Sequence, residues 1–133
     1  MLRDGTWDIK CPQEMCNLFP NRRGYYYKVN NSQAQLILDI LSKKYGIEAP
    51  IVIPIRKSIN ANAAYRPPNR VYLYSRNHLK SVWHEFYHHL DFHTAGKYNS
   101  DDRGGGRNSL AWQFADRMWE IFKNKKGVKK DVS

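Results

Sequence analysis

His84-Glu85-Phe86-Tyr87-His88 sets two imidazoles four residues apart with a carboxylate beside the first. On an α-helix, positions i and i+4 lie one turn apart on the same face. Both rings can then reach one zinc ion, and Glu85 can take a proton from a water held by that ion. The chemistry this spacing offers is hydrolysis of an amide bond by a metal-activated water.

That chemistry needs a helix under the motif, and the surrounding residues predict one from about Asn77 to His93. Leu79, Val82, Trp83, Phe86 and Leu90 make its apolar stripe, while His84, His88 and Asp91 share a different face. The helix can therefore pack into a core and still present both histidines to a cleft. His89 follows a ligand in sequence but lies about 100° further round, which reads as a packed or hydrogen-bonded side chain. His78 reads as solvent-facing near the helix start. Asp91 either supports the metal face or holds a neighbouring Arg or Lys.

Other elements must frame this helix. Asn30-Asn31-Ser32 reads as the N-cap region of a helix carrying Leu36, Ile37, Ile40, Leu41 and Tyr45, with Gly46 as its stop. Tyr25 to Val29, Ile51 to Ile53, Ala61 to Tyr65 and Arg70 to Ser75 read as strands, with Pro67-Pro68-Asn69 a turn. The prolines around Ile51-Val52-Ile53 suggest an edge position. Gly96 to Arg107 is a polar, glycine-rich loop. A last helix from about Asn108 to Lys123 buries Leu110, Ala111, Phe114, Ala115, Met118, Ile121 and Phe122. The fold class is α+β, with a small mixed sheet packed on helices.

At 133 residues the chain reads as one domain over residues 1–122, followed by a basic, disordered tail over 123–133. The net charge is +10. It favours acidic partners and admits nucleic acid, although part of the excess sits in the tail lysines, whose ordinary role is solvation. No nucleic-acid motif is present. Cys11 and Cys16 read as free thiols or a local disulfide, since structural zinc needs four ligands. No apolar h-region follows Met1, and no apolar run is long enough to span a bilayer. The expectation is a cytoplasmic, monomeric protein with no membrane contact.

Residues 70–122 resemble the minimal zincin metallopeptidases. The likeness is greatest to their glutamate-zincin branch, which includes the lethal-factor-like toxins and the ImmA/IrrE-type phage and stress peptidases. It rests on Trp83-His84-Glu85-Phe86-Tyr87-His88-His89-Leu90-Asp91 and on Leu110-Ala111-Trp112-Gln113-Phe114-Ala115-Asp116. The second segment is similar to E-x-x-A-(D/E/N), where a glutamate supplies the third zinc ligand. The resemblance implies a protein or peptide substrate, Zn2+ as cofactor, His84 and His88 as ligands and Glu85 as general base. It also implies a strand that binds substrate by edge pairing, here Arg70 to Ser75 or Ala61 to Tyr65. Tyr98 is a candidate to steady the oxyanion.

The family's glutamate is missing here. Alignment puts Trp112 or Asn108 at its position, and an indole cannot ligate zinc. Asp116 matches a family carboxylate that supports a ligand histidine, and it is the first choice for the third ligand. His93 comes next, then the loop acids Asp101 and Asp102, or water. The longer pattern H-E-x-x-H-x-x-G-x-x-H does not fit, because its last histidine would fall at Thr94. A catalytically impaired zincin-fold binding protein, associated with nucleic acid through its basic surface, is the alternative to a peptidase.

Overall fold

The computed structural model describes residues 8–19, 28–55, 63–74, 77–95 and 110–126. Within them the chain is α+β, as its patterns predict: four helices pack against two small sheets. The order is α1 (Gln13–Asn17), β1 (Lys28–Val29), α2 (Asn31–Tyr45), β2 (Ile51–Pro54), β3 (Ala63–Arg66), β4 (Arg70–Leu73), β5 (Asn77–His78), α3 (Leu79–Ala95) and α4 (Leu110–Lys126).

α2 starts and stops where its end residues dictate. The Asn30 side chain accepts a hydrogen bond from the Gln33 amide at 2.8 Å, and the Asn30 amide donates to Gln33 Oε1 at 3.1 Å. This reciprocal cap satisfies two amides that the first turn leaves open. Gly46 ends the helix at φ 73°, a left-handed conformation that costs glycine little. The buried face is Ala34, Ile37, Leu38 and Leu41, a run spaced by three and four. Leu36 departs from expectation: it lies about 200° round the helix from Leu38 and is 48% exposed.

The larger sheet has the order β2-β4-β3, with β2 parallel and β3 antiparallel to β4. Val71 and Leu73 are fully buried on one face of β4, and Tyr72 and Tyr74 are half-buried on the other. β2 is an edge strand, as its prolines suggest, and α2 covers its outer side. Gln35 of α2 accepts from the Val52 amide at 2.8 Å and donates to the Pro50 carbonyl at 2.9 Å. β4 is hydrogen-bonded on both sides, so of the two strands expected to pair with a substrate only β3 lies at an edge.

α3 begins at Leu79, two residues later than expected, because Asn77 and His78 pair with Val29 and Lys28 in the second sheet. The His78 ring takes up the helix end, its Nδ1 accepting from the Lys80 amide at 3.0 Å. It is half-buried against Trp119, with ring centroids 5.6 Å apart, rather than turned to solvent.

The expected stripe of α3 is the core. Leu79, Val82, Trp83, Phe86 and Leu90 have no exposed surface. Burying a large apolar side chain contributes about 1.5–3 kcal/mol. Together these five fix the helix's rotation about its axis. Their partners on α4 are Phe114, Met118 and Phe122, all fully buried, and Trp119, 8% exposed. Trp83 meets Phe122 at 5.5 Å, and Phe86 meets Phe114 at 6.3 Å. Contact positions rise along α3 as they fall along α4, so the two helices run antiparallel. α1 closes the far side through Met15 and Cys16, with Phe19 just after it, and the Trp83 indole N–H points at Met15 Sδ, 3.4 Å away.

Leu110, expected in the core, is 37% exposed at the first residue of α4. The helix also continues through Lys126, past the expected start of the tail at Lys123. Lys125 accounts for part of that extension: its ammonium donates to the Cys11 carbonyl at 2.6 Å. Residues 127–133 lie outside the described residues. No described helix is long and apolar enough to cross a membrane.

Candidate metal centre

With α3's rotation fixed by its core stripe, His84, Glu85 and His88 come to one place. They form a group whose ligand atoms all lie within 4.8 Å of one another, a distance one ion can bridge. It is the group of three or more His, Cys, Asp or Glu side chains that converges in this way among the described residues. The two imidazoles stand edge to face, with centroids 5.0 Å apart and planes at 78°. Glu85 is 6% exposed and His88 8% exposed.

The facing helix meets this site in rungs. At the first rung, Lys80 Nζ lies 2.8 Å from Asp116 Oδ1. One turn along, His84 meets Trp112, with ring centroids 4.3 Å apart at 41°. Lys80, His84 and His88 are spaced by four, and so are Asp116 and Trp112, which fits antiparallel packing.

These rungs locate the first choice for a third ligand. Asp116 is not in the converging group; it sits a full turn from the His84 rung, in an ion pair with Lys80. The position beside His84 belongs to Trp112, one of the two residues that sequence alignment put in place of the family's glutamate. That the indole would touch the histidine is new. Its signal was the four-residue offset from Asp116, legible only once Lys80 is known to face Asp116.

The second choice, His93, is also elsewhere. Its Nε2 bonds the Pro68 carbonyl at 2.5 Å, and its ring lies 4.3 Å from that of His89. Asp101, Asp102, Tyr98 and Asn108 lie outside the described residues. Asp91 is half-buried on α3. His89 is fully buried and hydrogen-bonded, as its place on the helix predicts. Its Nε2 donates to the Glu48 carbonyl at 2.7 Å, and its Nδ1 lies 3.0 Å from the Tyr65 hydroxyl, which also reaches the Pro68 carbonyl. Burial pushes the His89 imidazole down to about 4.

Cys11 and Cys16 are buried in the core as thiols, not joined by a disulfide. The Cys16 side chain, followed by burial, pushes the Cys11 thiol upward, so it stays protonated and unreactive.

Two imidazole nitrogens and a carboxylate oxygen suit a divalent first-row ion such as zinc. The donor set fits the metal that the motif implies. No family model, no curated protein and no solved structure matches this chain.

Proposed function

We propose that the protein is a zinc-dependent peptidase of the minimal zincin kind that its motif resembles. One observation carries the reading: His84, Glu85 and His88 converge within 4.8 Å on a helix whose opposite face is locked in the core. In this reading His84 and His88 hold the ion, and its remaining positions are open to water and substrate. A zinc ion bound there supplies a Lewis acid for the scissile carbonyl and brings the pKa of its water near neutrality. Glu85 receives the proton of the attacking water and passes it to the leaving amine. The outer edge of β3, which no other described strand pairs with, offers backbone groups to align an extended peptide.

The test is a zinc-loaded Glu85→Gln variant against a mixture of quenched-fluorescence peptides. Hydrolysis is expected to fall by about 10²–10⁴-fold, the range for removing a general base, with zinc retained. Equal hydrolysis by both proteins would end the peptidase reading.

The Trp112–His84 contact favours a second reading, a zincin-fold protein that binds metal without hydrolysis. It predicts His84-dependent zinc binding in a protein that cleaves no peptide in the mixture, with Glu85→Gln indistinguishable from the parent.

A further inference from the structure

Tetrahedral zinc sites in proteins use three or four protein donors. α3 places two imidazole donors at this centre, with the Glu85 carboxylate beside them as the general base of the proposed reaction. α4 packs on α3, and what it brings to His84 is an indole, with ring centroids 4.3 Å apart. Indole has an N–H donor and no lone pair to give a metal. The nearest carboxylate on the same face, Asp116, is one turn away and held by Lys80 at 2.8 Å. The register that places Trp112 here is fixed by the buried contacts of Phe86 with Phe114 and of Trp83 with Phe122, so α4 cannot slide to bring Asp116 round.

We infer that Trp112 sets the coordination of this centre: it holds the His84 ring in place and fills the position from which α4 would supply a further protein donor. The inference rests on the metal-site reading above and deepens it. The ion is then held by α3 alone, with more of its positions left to exchangeable ligands than in a site closed by both helices. Such a centre binds zinc weakly and exchanges it readily. It also takes its last ligands from whatever enters the cleft, so it favours substrates or inhibitors that bring their own metal-binding group, a carboxylate, thiolate or hydroxamate. Trp112 is half-buried, and its ring forms an apolar wall beside that group.

The experiment measures zinc and cobalt(II) binding to the full chain and to Trp112→Glu, Trp112→His and Trp112→Phe, with circular dichroism to confirm folding. A Glu or His side chain at 112 ends about where the indole ring now lies, so both variants should bind zinc at least about tenfold more tightly than the parent. Their cobalt(II) visible bands should intensify as a protein ligand replaces water. Trp112→Phe keeps the ring contact and should match the parent. Cobalt(II) bound beside the indole should quench the parent's tryptophan emission more than that of Trp112→Phe.

Parent, Glu and His variants of equal affinity, all losing metal on His84→Ala, would overturn the role of Trp112 and leave the metal site standing. No His84-dependent binding in any variant would overturn both. Binding only in the Glu and His variants would also overturn the inference, since the parent would then hold no ion whose coordination Trp112 could set.

Discussion

α3 carries two histidine pairs at the same four-residue spacing, and they have become different things. His89 and His93 stand with ring centroids 4.3 Å apart, His84 and His88 with centroids 5.0 Å apart. The first pair faces β3, the turn after it and the link between α2 and β2, where Tyr65, Pro68 and Glu48 offer a hydroxyl and backbone carbonyls. Both nitrogens of His89 and Nε2 of His93 fasten the helix to β3 and the neighbouring loops. The second pair faces α4, where the neighbour at His84 is an indole, and it shares its space with the Glu85 carboxylate. Spacing alone therefore does not make a metal site. What the neighbouring element presents decides whether an imidazole is a fastener or a candidate ligand.

The largest expected effect separates the pairs by metal. His84→Ala and His88→Ala should each weaken zinc binding by more than about 100-fold, beyond what loss of an outer hydrogen-bond partner costs. His93→Ala should leave it unchanged. Titration calorimetry checks this, and equal losses from both pairs would erase the distinction.

Stability should separate them in the opposite sense. His89 is fully buried, so His89→Ala leaves a cavity and strips a partner from the Glu48 carbonyl. We expect a loss of about 2–4 kcal/mol in denaturant unfolding. His84→Ala, at a half-buried site, should cost less than half of that.

Acid gives a third separation. Burial lowers His89 to about 4, below its ordinary value of 6.5, so folding favours the neutral ring. The stability this confers is fully present above pH 6.5 and is lost as pH falls from there toward 4. At that end it amounts to about 3 kcal/mol. Unfolding curves of metal-free protein should show the loss, and His89→Ala should flatten it. A parent profile flat between pH 7 and 4 would contradict a neutral, buried His89.

The smallest expected effect concerns the carboxylate that sequence placed nearest the site. Asp116 is 43% exposed in its pair with Lys80, and such pairs contribute about 0–1 kcal/mol. Asp116→Asn should change stability by less than about 1 kcal/mol and zinc affinity not at all. A sharp loss of zinc would make Asp116 a ligand after all.

Much of this was legible in the chain because local rules were not opposed by tertiary ones. The Asn30 cap, the Gly46 stop, the β4 alternation and the stripe from Leu79 to Leu90 all follow from periodicity and end chemistry. The pairing of His84, Glu85 and His88 was legible for the same reason, since it is internal to one helix. What was hidden depends on pairs far apart in sequence. Leu36 was read as core because it is apolar, but which arc of α2 is covered depends on its neighbours in the fold. Nor can a pattern within 77–93 show that Asn77 and His78 would pair with β1. The register of α4 on α3, which gives Asp116 to Lys80 and Trp112 to His84, emerges only from the packing of Trp83, Phe86, Phe114 and Phe122.

Zinc K-edge absorption spectroscopy of the zinc-loaded full chain tests the central claim most directly. The account predicts near-stoichiometric zinc with two imidazole nitrogens at about 2.0–2.1 Å, the rest of the shell oxygen, and loss of one imidazole in His88→Ala. A protein that takes up no zinc, or whose zinc shell is all oxygen and unchanged by His88→Ala, would contradict it.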